Sequence, residues 1–331
     1  MATTDDRPTL QVTREIPIPS SISSEAQEFL AAGGKFVRSD MTGAFPALDD
    51  AEGWRAVIAA TDAMLAASFE ARAESTPATV DARAVDGVDI FVVHPDGAAA
   101  SDDAAVLLDI HGGGLIMGAG LACRGMAISS AARAALLTWS VDYRMPPDHP
   151  YPAALDDCMT VYRALLRDHP PERIVVGGGS AGGNLAAALV LRARDEGLPL
   201  PAALLLFSPE VDLTESGDTF AANLGVDTVL TSGLGVQNLL YAGGADLAHP
   251  YLSPLFGDLS MPFPPTLIQA GTRDLFLSNA VRMHRGLRAG GVDAELHVFE
   301  AMPHGGFGPS PEEDDLTAEV RRFIARHVAA A

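Results

Sequence analysis

The stretch IVVGGGSAGGNLAAALV, residues 174–190, admits two readings that lead to different proteins. Gly177, Gly179 and Gly182 spell G-x-G-x-x-G, the spacing that lets a backbone approach a pyrophosphate. Gly178, Ser180 and Gly182 spell G-x-S-x-G, the spacing that exposes a nucleophile. Both need a strand, a tight turn and a helix, and both find them. RIVV precedes the glycines, and GNLAAALVLRARDEG follows, with a stop at Gly197. The choice therefore rests on the remainder of the chain.

That remainder is an ordinary globular composition. The 331 residues suffice for one large domain or two smaller ones, and 48% hydrophobic with 20% charged residues excludes a disordered or fibrous protein. A formal net charge of -21 repels phosphate backbones and anionic lipid, so no nucleic-acid partner is expected. No basic region leads into an apolar core in MATTDDRPTLQVTREIPIP, and the longest uncharged run, Ile174 to Leu191, is interrupted by glycines and Asn184. The expectation is a cytoplasmic protein with no membrane insertion. Cys123 and Cys158 are far apart in sequence and the histidines form no H-E-x-x-H, so free buried thiols and no metal are expected.

Periodicity divides the chain. Residues 20 to about 75 place apolar positions at three- and four-residue spacings and predict a helical layer. TVDARAVDGVDIFVVHP alternates about Asp86-Gly87 and predicts a β-hairpin. Six short apolar runs then alternate with helix-length segments: AAVLLDI (104–110), ALLTWSVDY (135–143), RIVVGG (173–178), ALLLFSP (203–209), PTLIQAG (265–271) and AELHVFE (294–300). This rhythm predicts an α/β fold, a mostly parallel sheet flanked by helices. The interval from Val211 to Pro250 is too long for a simple connection and reads as a helical insertion over the carboxyl ends of the strands.

The dinucleotide reading also wants an acid at the end of the next strand, and Glu210 after ALLLFSP could serve. The nucleophile reading asks more. A serine needs a histidine to take its proton and an acid to orient that histidine, and on this fold class the order after serine is acid, then histidine, each beyond a later strand. Asp274 follows PTLIQAGTR and His304 follows AELHVFEAMP. Asp293 and Glu300 are rival acids, and Asp274 could instead cap the helix predicted over Ser278 to Arg288. An oxyanion hole is also required. DIHGGGLIMG directly follows a strand and offers Gly112, Gly113 and Gly114, with the N–H of Ala181 after the serine as a further donor.

With HGGG (111–114), DYRMPPDHPYPAALDD (142–157), GGSAGGNLA (178–186), SPEVDLT (208–214), YLSPLFGDL (251–259), GTRDLF (271–276) and MPHGGF (302–307) in this order, the chain resembles the bacterial hormone-sensitive lipase family of α/β-hydrolases. The resemblance runs from about residue 80 to the end. It implies an eight-stranded sheet with a helical cap, divided as 1–75 (cap helices), 76–210 (catalytic, first part), 211–250 (cap insertion) and 251–331 (catalytic, second part). It also implies Ser180 as nucleophile, His304 as base and then acid, Asp274 as orienter, and Gly113, Gly114 and Ala181 as oxyanion donors. The implied activity is hydrolysis of small, short-acyl esters without a cofactor, with lactones or amides as related substrates, and a homodimer through the last strand is common in the family. A non-catalytic ligand-binding homologue is the third reading; retention of all three catalytic residue types speaks against it.

Two features depart from the family. Gly179 stands where an acid commonly precedes the serine, and DLFLSN carries Ser278 and Asn279 in place of the usual second carboxylate after the triad acid. His111 is expected to shape the glycine loop, and Asp142, Arg144, Asp148 and Asp156 to form ion pairs about a proline-rigid loop. Leu115, Met117 and Phe307 are expected near the site or in ordinary core packing.

Overall fold

A computed structural model of the chain describes residues 9–33, 45–97 and 105–328. Residues 1–8, 34–44, 98–104 and 329–331 lie outside the described residues, and with them parts of the expected front helical layer and of both catalytic stretches. Eight strands form a single sheet: β1 (Ala78–Val85), β2 (Val88–Pro95), β3 (Val106–Ile110), β4 (Leu137–Val141), β5 (Ile174–Gly179), β6 (Ala203–Phe207), β7 (Thr266–Gly271) and β8 (Ala294–Phe299). Their spatial order is β1-β2-β4-β3-β5-β6-β7-β8. The hairpin turns at Asp86-Gly87, and β2 runs antiparallel to both β1 and β4 while the remaining neighbours are parallel.

Nine helices accompany the strands among the described residues: α1 (Ser24–Ala31), α2 (Ala51–Ala73), α3 (Leu121–Ala134), α4 (Ala153–Asp168), α5 (Ala181–Asp195), α6 (Thr219–Ala222), α7 (Gly235–Ala242), α8 (Leu277–Ala289) and α9 (Pro311–His327). Helices on both faces explain why the central strands read as continuous apolar runs: every residue of β3 and β7 is buried. The segment after β6 is less helical than the sequence suggests. Only α6 and α7 are helical within 211–250, because closely spaced Gly and Asp favour turns over helix, as at Asp227, whose carboxylate accepts the N–H groups of Val229 and Leu230.

The sheet order settles what the glycines of residues 177–182 are for. β3 lies beside β5, so the turn leaving β5 runs against the end of β3. A Cβ on Gly182 would lie 1.9 Å from the Ile110 carbonyl oxygen, and one on Gly178 would lie 2.4 Å from the carbonyl of Gly182. These two glycines are spent on packing strand, turn and helix together. Glu210, the acid that the dinucleotide reading needs at the surface, is completely buried. That reading is therefore set aside. Gly179 is different: a Cβ there would meet nothing closer than the Phe207 carbonyl at 3.7 Å.

Gly182→Ala is accordingly expected to cost about 3 kcal/mol or more, or to prevent folding, because backbone must move to admit the methyl group. Gly179→Ala should leave the urea midpoint close to wild type. Equal midpoints for all three proteins would show that the close approach at Gly182 is unimportant.

Candidate active site

The carboxyl ends of β3, β5, β6, β7 and β8 share one rim, and the polar residues of interest leave the sheet there. Ser180 follows β5 with φ 56° and ψ -122°, a backbone conformation that costs a non-glycine residue energy and turns its side chain out of the strand. Three main-chain hydrogen bonds fix it: its N–H donates to the Phe207 carbonyl at 2.8 Å, and its own carbonyl accepts the N–H groups of Asn184 and Glu210, each at 3.2 Å. Asn184, completely buried, donates from its amide nitrogen to the carbonyls of Glu210 and Leu252, each at 2.7 Å. The elbow is thereby tied to the loop after β6.

Asp274 and His304 arrive from the next two strands. His304 Nε2 lies 2.9 Å from Ser180 Oγ, and His304 Nδ1 lies 3.1 Å from Asp274 Oδ1. The same Asp274 oxygen accepts the Phe276 N–H at 2.8 Å, so the acid orders the turn into α8 while facing the histidine. Asp293 and Glu300, the rival acids, take no part in this chain of hydrogen bonds; the Asp293 carboxylate lies 3.7 Å from His327 Nε2 instead. The loops after β7 and β8 are tightly joined. A Cβ on Gly271 would lie 1.9 Å from the Met302 carbonyl, the Arg273 N–H donates to that carbonyl, and Thr272 Oγ1 accepts the Ala301 N–H at 2.8 Å.

Burial of the imidazole favours its neutral form, but the Asp274 carboxylate beside it, helped by that of Asp227, outweighs that and raises the His304 pKa above its ordinary 6.5. Phe276 meets the ring edge-on at 4.8 Å between centroids and shields it from water.

The glycine loop after β3 lies directly against the serine: a Cβ on Gly112 would be 3.0 Å from the Gly179 carbonyl and 3.3 Å from Ser180 Cβ. Gly113 and Gly114 have φ of 129° and 58°, values that favour glycine. Among the described residues, the N–H groups of Gly113, Gly114 and Ala181 donate to no protein acceptor, and Ala181 begins α5, whose N-terminal dipole end faces the same space. His111 shapes this loop. Burial keeps its imidazole neutral, with a pKa pulled down to about 4, so Nδ1–H donates to the Gly112 carbonyl at 2.8 Å. Its ring stacks on Tyr143 at 4.0 Å, and the Tyr143 hydroxyl donates to the His111 carbonyl at 2.9 Å.

The charged loop differs in detail from its sequence reading. Arg144 pairs with Asp157 rather than with the other members of the expected patch, Asp148 pairs with Arg55 of α2, and Asp156 pairs with Arg192 of α5. Asp142 accepts the Gly120 N–H and so ends the glycine loop where α3 starts. Among the described residues, His111, Cys123 and Asp142 bring candidate metal-ligand atoms within 4.8 Å of one another. Burial holds the Cys123 thiol protonated and Asp142 is engaged with backbone, which suits loop anchoring better than ion binding. Leu115 and Met117 are buried, Met117 beside Trp54 of α2 and Leu240 of α7. Phe307 packs instead against Phe29 of α1.

Residues 107–307 match the family model described as the alpha/beta hydrolase fold. Esterase E25 superposes with a TM-score of 0.91 at 34% identity, covering 97% of this chain and 99% of that one. An esterase from the bacterial hormone-sensitive lipase family superposes with a TM-score of 0.78 at 30% identity over 93% of this chain and 99% of the other. The chain belongs to the bacterial hormone-sensitive lipase family of α/β-hydrolases. It is also similar to an acetyl-hydrolase of Streptomyces hygroscopicus, 35% identical over 62% of this chain and 69% of that protein. No helix among the described residues is long and apolar enough to cross a membrane.

Sequence reasoning undervalued two carboxylates. Glu210, considered only as a ribose ligand, is buried with neither oxygen hydrogen-bonded, and burial pushes its pKa up to about 8. Asp227 is an anonymous part of the insertion in sequence; its proximity to His304 has no signal in a single sequence beyond a lone acid in the stretch LGVDTVL.

Two pH effects follow. Chemistry that needs a neutral His304 should give a kcat/KM that falls as pH is lowered through an apparent pKa above 6.5; a limb at or below 6.5 would deny the carboxylates their effect. For Glu210 the folded pKa lies above the unfolded value of 4.5, so its contribution to stability is complete below pH 4.5 and is lost as pH rises through about 8. Glu210→Gln, which mimics the protonated side chain, should therefore gain in melting temperature relative to wild type between pH 5 and pH 8.5. A constant difference across that range would contradict a buried neutral carboxyl.

Proposed function

We propose that the protein is a serine carboxylesterase acting on small, short-acyl esters through an acyl-enzyme, with Ser180, His304 and Asp274 as its catalytic triad. The observation that carries this reading is the continuous hydrogen-bonded chain of 2.9 and 3.1 Å from Ser180 through His304 to Asp274, at the sheet rim where the HGGG loop meets the serine. Ser180 Oγ attacks the ester carbonyl as His304 Nε2 takes its proton. Asp274 keeps the Nδ1–H tautomer and stabilises the imidazolium. Negative charge on the former carbonyl oxygen meets the N–H groups of Gly113, Gly114 and Ala181, each such donor being worth about 3 kcal/mol in typical cases. His304 returns the proton to the departing alcohol and then activates water to release the acid.

The cap in this reading comprises residues 1–75 and 211–250. Its support is the cluster in which Trp54 of α2 and Leu240 of α7 close on Ile116 and Met117 of the glycine loop, and the approach of Leu234 to within 3.6 Å of where a Gly114 Cβ would stand. Such a roof limits acyl length and suits lactones as well as open-chain esters. We place the enzyme in the cytoplasm, in keeping with its buried free thiols, and a second copy would add at β8, the parallel edge of the sheet.

Purified wild type should hydrolyse p-nitrophenyl butyrate, and Ser180→Ala and His304→Ala should each lose activity by at least about a thousandfold. Wild-type rates in Ser180→Ala, or an inert wild type, would refute the assignment.

A further inference from the structure

The segment between β6 and β7 does more than roof the site. Asp227, 2% exposed, spends one carboxylate on three stretches of chain. Its Oδ1 accepts the N–H groups of Val229 and Leu230 in its own turn, at 2.8 and 3.1 Å. Its Oδ2 accepts the N–H of Leu275, the residue after Asp274, at 2.8 Å. Both oxygens face the His304 N–H, at 3.4 and 3.3 Å. Asn223 closes the same turn, its carbonyl accepting the N–H groups of Val226 and Asp227. Its amide donates to the carbonyls of Thr272 and Asp274 at 3.2 and 2.8 Å. Thr219 adds a further clasp, bonding the Leu275 carbonyl and the Ser278 N–H.

A carboxylate is an expensive way to accept N–H groups here. Asp227 is buried close to Asp274, and burial and that like charge both disfavour its ionised form. A neutral acceptor would satisfy the same donors without that penalty. The compensating partner is the positive charge that appears on His304 in each step of the reaction. Among the described residues, the carboxyl groups whose charge acts on that ring are Asp274 from the loop after β7, Asp227 from the segment after β6 and, only where ionised, Glu210 just beyond β6.

We propose that Asn223 and Asp227 are positioning residues: both hold the loop that carries the acid, Asp227 also holds the loop that carries the base, and the Asp227 carboxylate helps to stabilise the charged His304. The proposal rests on the triad reading above. It makes a segment expected to shape the substrate pocket a working part of acid-base assembly as well.

The test uses the full chain with p-nitrophenyl butyrate, comparing wild type, Asn223→Ala, Asp227→Asn and, as a reference, Ser180→Ala over a range of pH. Asn223→Ala should lower kcat roughly tenfold to a hundredfold with KM little changed, and leave the acid limb of kcat/KM in place. Asp227→Asn should lower kcat similarly and move that limb to lower pH, since one of the charges that holds the proton on His304 is gone. Wild-type kcat in both variants, or a rise in KM alone, would overturn the proposal, as the segment would then serve only the substrate pocket. Should Asp227→Asn not fold, the kcat and KM of Asn223→Ala decide the positioning role, and the acid limb of a folded Asp227→Ser decides the charge. Full activity in Ser180→Ala, or none in wild type, would instead sink the triad reading and this one with it; an inactive Ser180→Ala beside unaltered Asn223 and Asp227 variants would sink this one alone.

Discussion

The constraint on which the rest depends is the near-contact between the turn after β5 and the end of β3. Without side chains at 178 and 182, helix α5 can start almost on top of the Ile110 carbonyl, and only then can Ser180 take its left-handed turn with its carbonyl still bonded. The approach has a second effect. It brings the glycine loop after β3 against the serine, so the groups that would attack and the groups that would receive negative charge are set by one packing event. Catalytic geometry on this fold is a by-product of how closely two strands and a helix can be nested.

Much of this was legible in the chain because its signals are local. Strands buried on both faces are mainly apolar, and AAVLLDI, RIVVGG and PTLIQAG show it, with Asp109, Thr266 and Gln269 as buried polar exceptions. The hairpin at Asp86-Gly87 announces itself by alternation about a turn dipeptide. Ser180, Asp274 and His304 could be picked out from many acids and histidines because each follows a strand in the order this fold class uses. What a single sequence conceals is proximity between distant segments. Nothing in TFAANLGVDTVL says that its Asn and Asp will face peptide groups near residues 274 and 304, and nothing in DYRMPPDHPYPAALDD says that Arg144 will choose Asp157.

The two departures from the family pattern have physical counterparts. At Gly179 a Cβ would make only ordinary contact with Phe207, at 3.7 Å, so the elbow tolerates a side chain there without needing one. Where the usual second acid after Asp274 is replaced, Ser278 and Asn279 sit in the first turn of α8, and Ser278 Oγ accepts the Thr219 N–H at 2.9 Å. A negative charge has thus been exchanged for a neutral link to the segment after β6. The Asp227 carboxylate of that segment in turn faces the His304 N–H, at 3.3 and 3.4 Å.

Because every group of interest leaves the sheet from one rim, the opposite rim has a different character. The connections entering β5, β6 and β8, at residues 169–173, 196–202 and 290–293, carry exposed positions such as Glu172, Gly197 and Gly291 and no part of the site. Loops of this kind absorb added chain without disturbing the core. The molecule therefore has a working face and a handle, and immobilisation or fusion through the handle would present the working face to solvent.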